Sequence, residues 1–588
     1  MVKKKSNREL PKNSTTTLRW VSADGSEIPK WTSSVEEIRT NLLVRRGLVS
    51  ESNVTAFLHP PDPTQFTAAD VGIDDIALDD AIARISKALA QKESIVVYAD
   101  YDADGITAGT IMWETLRDLG AQVMPYIPHR VEEGYGLSQK GIDTIIGLYN
   151  PTLIVTVDHG ITGAEKVAYA QSHGIDVIVT DHHTKGATLP ACTIVHTTEL
   201  CGAGVSWFVS KELRSRYTPS SGLGDNAGRQ NKEHLALAAI GTVADLVPLI
   251  GSNRSIVKFG LSALNETKRV GLLALMQEAG LSAGELAVYN ISHGLAPRLN
   301  AMGRLEHAMD AMRLLCTHQE DKAMLLARKI ALTNKDRQQL TVDSALHAKD
   351  IVKGRKESGL AKLLFVADES YNQGIIGLIA GKLVEEYYRP SIVLAKGEQI
   401  SKASARSIPG FNIVEAIRAQ SDILIDVGGH PMAAGFTVET KHLAELQLRL
   451  ESLADKQLTD SMMEKMLRVD GELPLSIATA SLWEVLQDFQ PFGFGNFEPI
   501  FVSRDVRVLQ VKSIGKENKH LKLRLGATGT PLTQSQALDA VAFNLGTMAA
   551  SLQPDTMVDI AYTIDMNAWN GKISLQLKIK DIHVRLID

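Results

Sequence analysis

Short continuous apolar runs alternate with helical periodicity along most of the chain, and that rhythm sets the first picture. Ser34 to Leu58 reads as helix until Pro60-Pro61-Asp62-Pro63 breaks it. Asp79 to Ala90 places Ile82, Ile85 and Leu89 on one helical face. A strand at Ile95–Tyr98 then leads to a helix near Thr107–Leu119, a strand at Ala121–Tyr126, and runs at Leu153–Val157 and Val177–Thr180. Leu153–Val157 and Val177–Thr180 are short, continuous β-branched runs, as strands covered on both faces are, so the pattern predicts a parallel sheet between helical layers. Leu235 to about Asp350 is mostly helical, and Asp321–Asp350 forms one long helix able to bridge two domains. A second α/β rhythm follows: strand Leu363–Val366, helix Ile375–Tyr387, strand Ser391–Ala395, two glycine-rich stretches at 427–430 and 433–436, and helix Lys441–Gln457. From about Leu467 strands become short and turns frequent. Runs at Val506–Val511, His520–Leu525, Ala540–Phe543, Val558–Ile564 and Ile573–Ile579 predict a small β-barrel of OB type.

The expected fold class is therefore α/β: two α/β domains, the first with a parallel sheet, joined by a long helix, plus a C-terminal OB-like barrel. The segments expected are a flexible tail (1–33), a helical segment (34–90), the first α/β domain (91–315), the bridging helix (316–355), the second α/β domain (356–462) and the barrel (463–588).

The chain has 588 residues, 44% hydrophobic and 22% charged, with a net charge of −6. That charge excludes a histone-like binder but not a local basic groove. The three cysteines, Cys192, Cys201 and Cys316, form no CxxC pair, so neither a disulfide framework nor a structural zinc is expected and a reducing cytoplasm fits. The N-terminus lacks a signal-peptide core and no apolar run reaches a membrane span, so no membrane association is expected. Lys3-Lys4-Lys5 reads as a solvated tail.

Candidate chemistry sharpens this picture. Asp100, Asp102 and Asp104 crowd the end of the first strand, an arrangement that is unfavourable without cations. The spacing opens like an EF-hand loop, but position twelve is Ile111 and the preceding segment is strand-like, which rejects that reading. Asp158 and His159 end a second strand, Asp181-His182-His183 a third, and Asp245 a helical run. Ligands gather at the carboxyl ends of parallel strands, so these clusters converge on one crevice. Carboxylates with imidazoles and no thiolates suit two Mn²⁺ or Mg²⁺ ions, the arrangement of two-metal phosphoryl hydrolysis. His159, His173 and His196 read instead as hydrogen-bonded structural residues.

Together with Pro128-His129-Arg130, Glu133-Gly134-Tyr135-Gly136, Ala296-Pro-Arg298-Leu-Asn300-Ala301 with Arg304, Gln373-Gly-Ile-Ile-Gly377, Ala405-Arg406-Ser407, Gly428-Gly-His430 and Pro491-Phe-Gly-Phe-Gly-Asn496, these clusters resemble the DHH phosphoesterase superfamily, and within it the RecJ-type single-stranded-DNA exonucleases. The resemblance runs from about residue 35 to the end. It implies a DHH domain, a bridging helix, a DHHA1 domain and an OB-fold. It implies Asp102, Asp104, Asp158, His182 and Asp245 as metal ligands, with Asp158 bridging two ions, and His183, Asp181 and Asp100 as catalytic or outer-shell groups. For DNA contact it implies His129, Arg130, Tyr135, Arg298, Asn300, Arg304, Ser404, Arg406 and His430. In the barrel, Lys512, Lys516, Lys519, Lys522 and Arg524 with Phe543 and Trp569 are candidates for strand binding. The implied activity is 5′→3′ hydrolysis of single-stranded DNA in repair and recombination by a monomer working beside a single-strand-binding protein and a helicase. Tyr98 and Asn372 depart from the pattern: Tyr98 stands where some relatives carry histidine and others an apolar residue, and Asn372 where relatives usually carry histidine. The alternatives are a DHH/DHHA1 oligonucleotide or cyclic-dinucleotide phosphodiesterase, and an inactive replication scaffold.

Overall fold

The computed structural model describes residues 18–31, 34–217, 224–354, 359–527, 537–569 and 572–585. Lys3-Lys4-Lys5 and the side chain of Trp569 lie outside the described residues. The chain divides into two compact units. One holds His59–Met463 and Pro491–Phe497; the other gathers the described residues before His59, Glu464–Gln490 and the chain from Glu498 onward.

In the first unit, strands β1 (Ser94–Ala99), β2 (Gln122–Tyr126), β3 (Leu153–Val157), β4 (Asp176–Asp181) and β5 (Thr193–His196) form a parallel sheet in the order β2-β1-β3-β4-β5. Alternate residues of the continuous apolar runs feed two cores. Ile95, Val97 and Val155 face one layer; Val96, Tyr98 and Ile154 face the other. Helix α1 (Ala103–Asp118) leaves β1, while α2 (Gly202–Tyr217) and α3 (Gly224–Ala244) pack against it. Helix α1 begins four residues earlier than its apolar pattern suggests. The reason is local: Asp102 is its N-cap, and Asp102 Oδ1 accepts the N–H groups of Asp104 (2.9 Å) and Gly105 (3.0 Å).

Helix α4 (Ala296–Leu305) precedes the long helix α5 (Glu320–Gly354), whose buried face is mainly small: Ala323, Ala327, Ala345 and Ala348. A second sheet follows, with strands β6 (Leu364–Asp368), β7 (Ser391–Ala395), β8 (Ile400–Arg406), β9 (Leu424–His430) and β10 (Ala433–Glu439) in the order β9-β10-β8-β7-β6. Only β6 and β7 run parallel among these described strands. The two glycine-rich stretches are strands β9 and β10 of one hairpin, with Gly428 opposite Gly435. Glycine depresses strand propensity, which is why they do not read as strands.

In the second unit, β11 (Phe501–Ile514), β12 (His520–Ala527), β13 (Leu538–Ala542), β14 (Met557–Trp569) and β15 (Lys572–Val584) pair in the order β11-β12-β13-β15-β14, and β14 closes back onto β11. The result is a closed OB-like barrel with no free edge among these strands. The segment read as an irregular tail holds a strand here: Arg19–Ser22 runs parallel to Met466–Val469. Trp20 Nε1 donates to Asp581 (2.8 Å) and the indole stacks on His583 at 3.9 Å. The helical stretch over 34–90 is divided: Val35–Arg45 and Glu51–Leu58 belong to the barrel unit, and Asp75–Gln91 to the α/β unit.

Candidate metal centre and nucleic-acid cleft

The carboxyl ends of β1, β3 and β4 bring the sequence clusters together. Ligand-capable atoms of Asp104, His182 and Asp245 lie within 4.8 Å of one another; so do those of Asp100, Asp102 and Asp158, and those of Asp158, His182 and His183. Asp158 belongs to two of these groups. Its backbone sits at φ +67°, a left-handed conformation that a non-glycine residue adopts at a cost of about 1–3 kcal/mol, as is common where a site dictates geometry. His182 Nε2 is 3.1 Å from Asp158 Oδ1, 3.6 Å from Asp245 and 3.9 Å from Asp104.

Neighbouring helices are shaped to these acids. Asp104 accepts the N–H groups of Gly202 (2.7 Å) and Ala203 (2.9 Å) at the N-terminus of α2. That approach requires glycines: a Cβ on Gly202 would meet Asp158 Cβ at 2.4 Å, and one on Gly241 would meet Asp104 Oδ1 at 2.4 Å.

The electrostatics point to a cation. Burial and then the neighbouring carboxylates push Asp100, Asp102 and Asp158 up; the same causes push Asp245 up to about 9. Burial lowers His182, keeping its imidazole neutral. Asp100 Oδ1, Asp158 Oδ1 and His182 Nε2 are buried without a hydrogen-bond partner among the described residues. Such orphaned atoms are costly unless something binds them. Hard oxygen donors with one or two imidazoles fit Mn²⁺ or Mg²⁺.

Asp181 does different work. Its Oδ1 accepts from the backbone of His182 (2.7 Å) and from His183 Nδ1 (2.8 Å), and its Oδ2 from the Ile161 N–H (2.8 Å). Although burial opposes it, the His183 contact holds the Asp181 carboxyl below the usual carboxylate range. Asp181 thus fixes His183, which also meets the Tyr135 hydroxyl at 3.1 Å. His159 and His196 are structural, as their sequence setting suggests: His159 Nε2 donates to the Tyr98 carbonyl, and His196 Nε2 to that of His183.

A cleft of about 450 Å³ opens beside this crevice, lined among others by Tyr101, Arg130, Arg304, Lys402, Ser404 and Arg406. Burial, then Arg130, Arg337 and Arg406, press Arg304 down to about 10. Burial also lowers Arg337 and Arg406. Among the described residues none of these arginines has an acidic ion-pair partner, so an anion such as a phosphate would complete the cluster. Arg337 and Lys402 escape sequence reading: Arg337 lies mid-way along a polar helix, and β8 carries no clear strand signal.

The remaining predicted contacts divide. Tyr135 reaches both crevice and cleft. Asn300 Oδ1 accepts the Ala103 N–H (2.8 Å), bracing the start of α1. Arg298 donates to the Gly294 carbonyl (2.7 Å) and is engaged away from the cleft. His129 Nδ1 accepts the Glu132 N–H within its own loop. His430 is exposed; Ala433 lies between it and Arg406 in the sheet register. The Tyr98 side chain points into the opposite core against Tyr126 and His159, away from the crevice. Asn372 closes a turn by accepting the Gly374 N–H (2.7 Å). On the barrel, Lys512 stands opposite Lys522, and exposed Phe543 lies 5.3 Å from the His520 ring.

Comparison with known proteins agrees with this architecture. Family profiles described as DHH family, N-terminal domain, DHHA1 domain and RecJ OB domain match residues 94–242, 360–456 and 469–581. The chain is 36% identical over 557 residues to the single-stranded-DNA-specific exonuclease RecJ of Bacillus subtilis, covering 92% of this chain and 67% of that protein. It resembles the crystal structure of RecJ from Thermus thermophilus in complex with Mn²⁺ at a TM-score of 0.78 and 27% identity, covering 98% of this chain and 81% of the other. The Mg²⁺ complex of the same protein gives a TM-score of 0.72 and 26% identity over 97% and 79%. The chain belongs to the RecJ family of single-stranded-DNA-specific exonucleases.

Proposed function

We propose that this chain is a metal-dependent exonuclease that hydrolyses phosphodiester bonds of single-stranded DNA. The observation that carries the reading is the crevice itself: five aspartates and two histidines converge at the ends of strands and of one helix, and burial and then neighbouring carboxylates push Asp100, Asp102, Asp158 and Asp245 up. Asp102, Asp104, Asp158, His182 and Asp245 would hold Mn²⁺ or Mg²⁺, with Asp158 shared between two ions. The cations, when bound, supply the positive charge that activates water and stabilises phosphoryl oxygens.

The chain's own groups do the rest. Asp181 orients His183 toward the reacting phosphate through its carboxylate contact. Arg130, Arg304 and Arg406 with Ser404 hold a neighbouring phosphate, so that the scissile bond is presented to the crevice. Holding a terminal phosphate in that cleft favours digestion from one end, and the family resemblance makes it the 5′ end. The barrel lysines and Phe543 give the single strand a further hold. No helix among the described residues is long and apolar enough to cross a membrane. A cytoplasmic monomer acting in repair and recombination beside a single-strand-binding protein and a helicase completes the reading.

End-labelled single-stranded DNA, double-stranded DNA and RNA, each with Mn²⁺, Mg²⁺ or EDTA, test it. Release of mononucleotides from the 5′ end of single-stranded DNA, abolished by EDTA, is expected. Cleavage confined to dinucleotides, or none with either ion, overturns it in favour of the phosphodiesterase or the scaffold.

A further inference from the structure

Beside Asp245 the α/β unit exposes apolar groups that the reaction above does not use. Leu246 follows Asp245 directly, is 62% exposed, and holds φ +59°, a conformation unusual for a bulky residue. Ile250, four residues on, is 54% exposed. The Pro491–Phe497 loop is fastened onto this segment. Leu249 N–H donates to the Phe494 carbonyl (2.8 Å), and Gly493 sits so close that a Cβ there would meet Leu249 Cδ1 at 2.6 Å and Val288 Cγ1 at 3.5 Å. The loop thereby presents Phe494, 49% exposed and edge-on to the Phe497 ring at 6.1 Å, while Tyr289, the residue after Val288, is 68% exposed. Tyr289 stacks on His293 at 4.3 Å and 17°, across a stretch of π-helix at Ile291–Leu295. π-Turns within helices are frequent at functional sites.

Folding alone does not favour these features. An exposed leucine in left-handed backbone, a π-helix and two solvent-facing rings each carry a cost, and all lie on or against the segment that supplies Asp245. The ring faces are sequence-neutral platforms of the kind on which unpaired bases stack, whereas paired bases already stack on each other.

We infer that Leu246, Tyr289 and Phe494 form a base-stacking surface that grips unpaired nucleotides next to the metal crevice. This rests on the reading of the chain as a single-strand nuclease and deepens it: the arginine cleft holds backbone, and this surface holds bases. A single strand can present its bases to the surface; a duplex cannot.

The test is a binding cycle in EDTA, where no cleavage occurs. Fluorescence anisotropy measures affinity for an oligothymidylate of about a dozen nucleotides and for the same backbone carrying abasic sites throughout, with wild type, Phe494→Ala and Tyr289→Ala. The surface predicts affinity for the oligothymidylate falling about five- to tenfold in each variant, with affinity for the abasic strand unchanged. Tyr289→Phe should restore wild-type affinity, and circular dichroism verifies folding. Equal losses on both strands, or no loss on either, overturn the inference; a surface built for a protein partner gives the latter. Wild type that binds neither strand overturns the single-strand reading as well, whereas wild type that binds both like the variants overturns this inference alone.

Discussion

Helix α1 carries a buried carboxylate near each end, and the two environments are opposites. Near its C-terminal end Glu114 meets Arg269 through two hydrogen bonds of 2.8 Å and His234 through a third of 2.8 Å. Burial opposes ionisation there, but Arg269 and His234 hold the Glu114 carboxyl far below its usual range. At the N-terminal end, about 15 Å away along the axis, Asp104 lies among Asp102, Asp158 and Asp245, and among the described residues no lysine or arginine forms an ion pair with these four carboxylates. One cluster is balanced within the fold; the other is balanced only when divalent ions enter. Buried charge is therefore informative by its partners rather than by its burial. The Glu114 network is structural, and the aspartate crevice is built for a ligand.

Breaking the two ends should have opposite consequences. The largest effect expected is on activity. Asp158→Asn should reduce single-strand cleavage by at least about a thousandfold while leaving the protein folded, because it removes the one carboxylate that belongs to two of the ligand groups. Near-normal cleavage would contradict the site. Glu114→Ala should act on stability instead, costing about 3–5 kcal/mol by removing both short hydrogen bonds to the Arg269 charge and leaving it, among the described residues, only Glu233 at 3.9 Å as a carboxylate partner, as chemical denaturation can measure.

The pH dependence should differ in the same sense. The Glu114 pKa is depressed on folding, so its contribution is present above the unfolded value near 4.3 and lost as pH falls below it. Asp100, Asp102, Asp158 and Asp245 are raised, Asp245 to about 9, so these four bind protons more tightly in the folded state. Stability of the metal-free protein should therefore decline as pH rises from about 4 toward 9, and saturating Mn²⁺ should remove that slope. A metal-free protein equally stable at pH 5 and pH 9 would argue against the crowding. The smallest effect belongs to the cleft: Arg406→Ala should lower the salt slope of single-strand binding by about one unit, read from affinity against salt concentration.

The amino-acid sequence makes the centre legible because its chemistry is local. Each aspartate or histidine ends an apolar run, and strand ends in a parallel sheet converge. Leu153–Val157 and Ser391–Ala395 match the structural strands residue for residue. What the sequence conceals depends on long-range packing. Strand β8 alternates polar and small residues, and the β9–β10 hairpin is glycine-rich, so neither reads as strand. Asn300 and Arg298 sit in the same motif as Arg304, yet only Arg304 turns into the cleft, because helical spacing sends the others to Ala103 and Gly294. The pairing of residues 19–22 with 466–469 joins segments more than four hundred residues apart, which no local pattern predicts.

Divalent cations complete the crevice in the active protein. Isothermal titration of Mn²⁺ into metal-free protein, run in buffers of different ionisation enthalpy, tests this most directly. Saturable binding of two ions per chain is expected, with release of protons from the crowded carboxylates, abolished or halved in Asp158→Asn and retained in Arg406→Ala. Absence of binding, or binding without proton release and unaffected by Asp158→Asn, would contradict it.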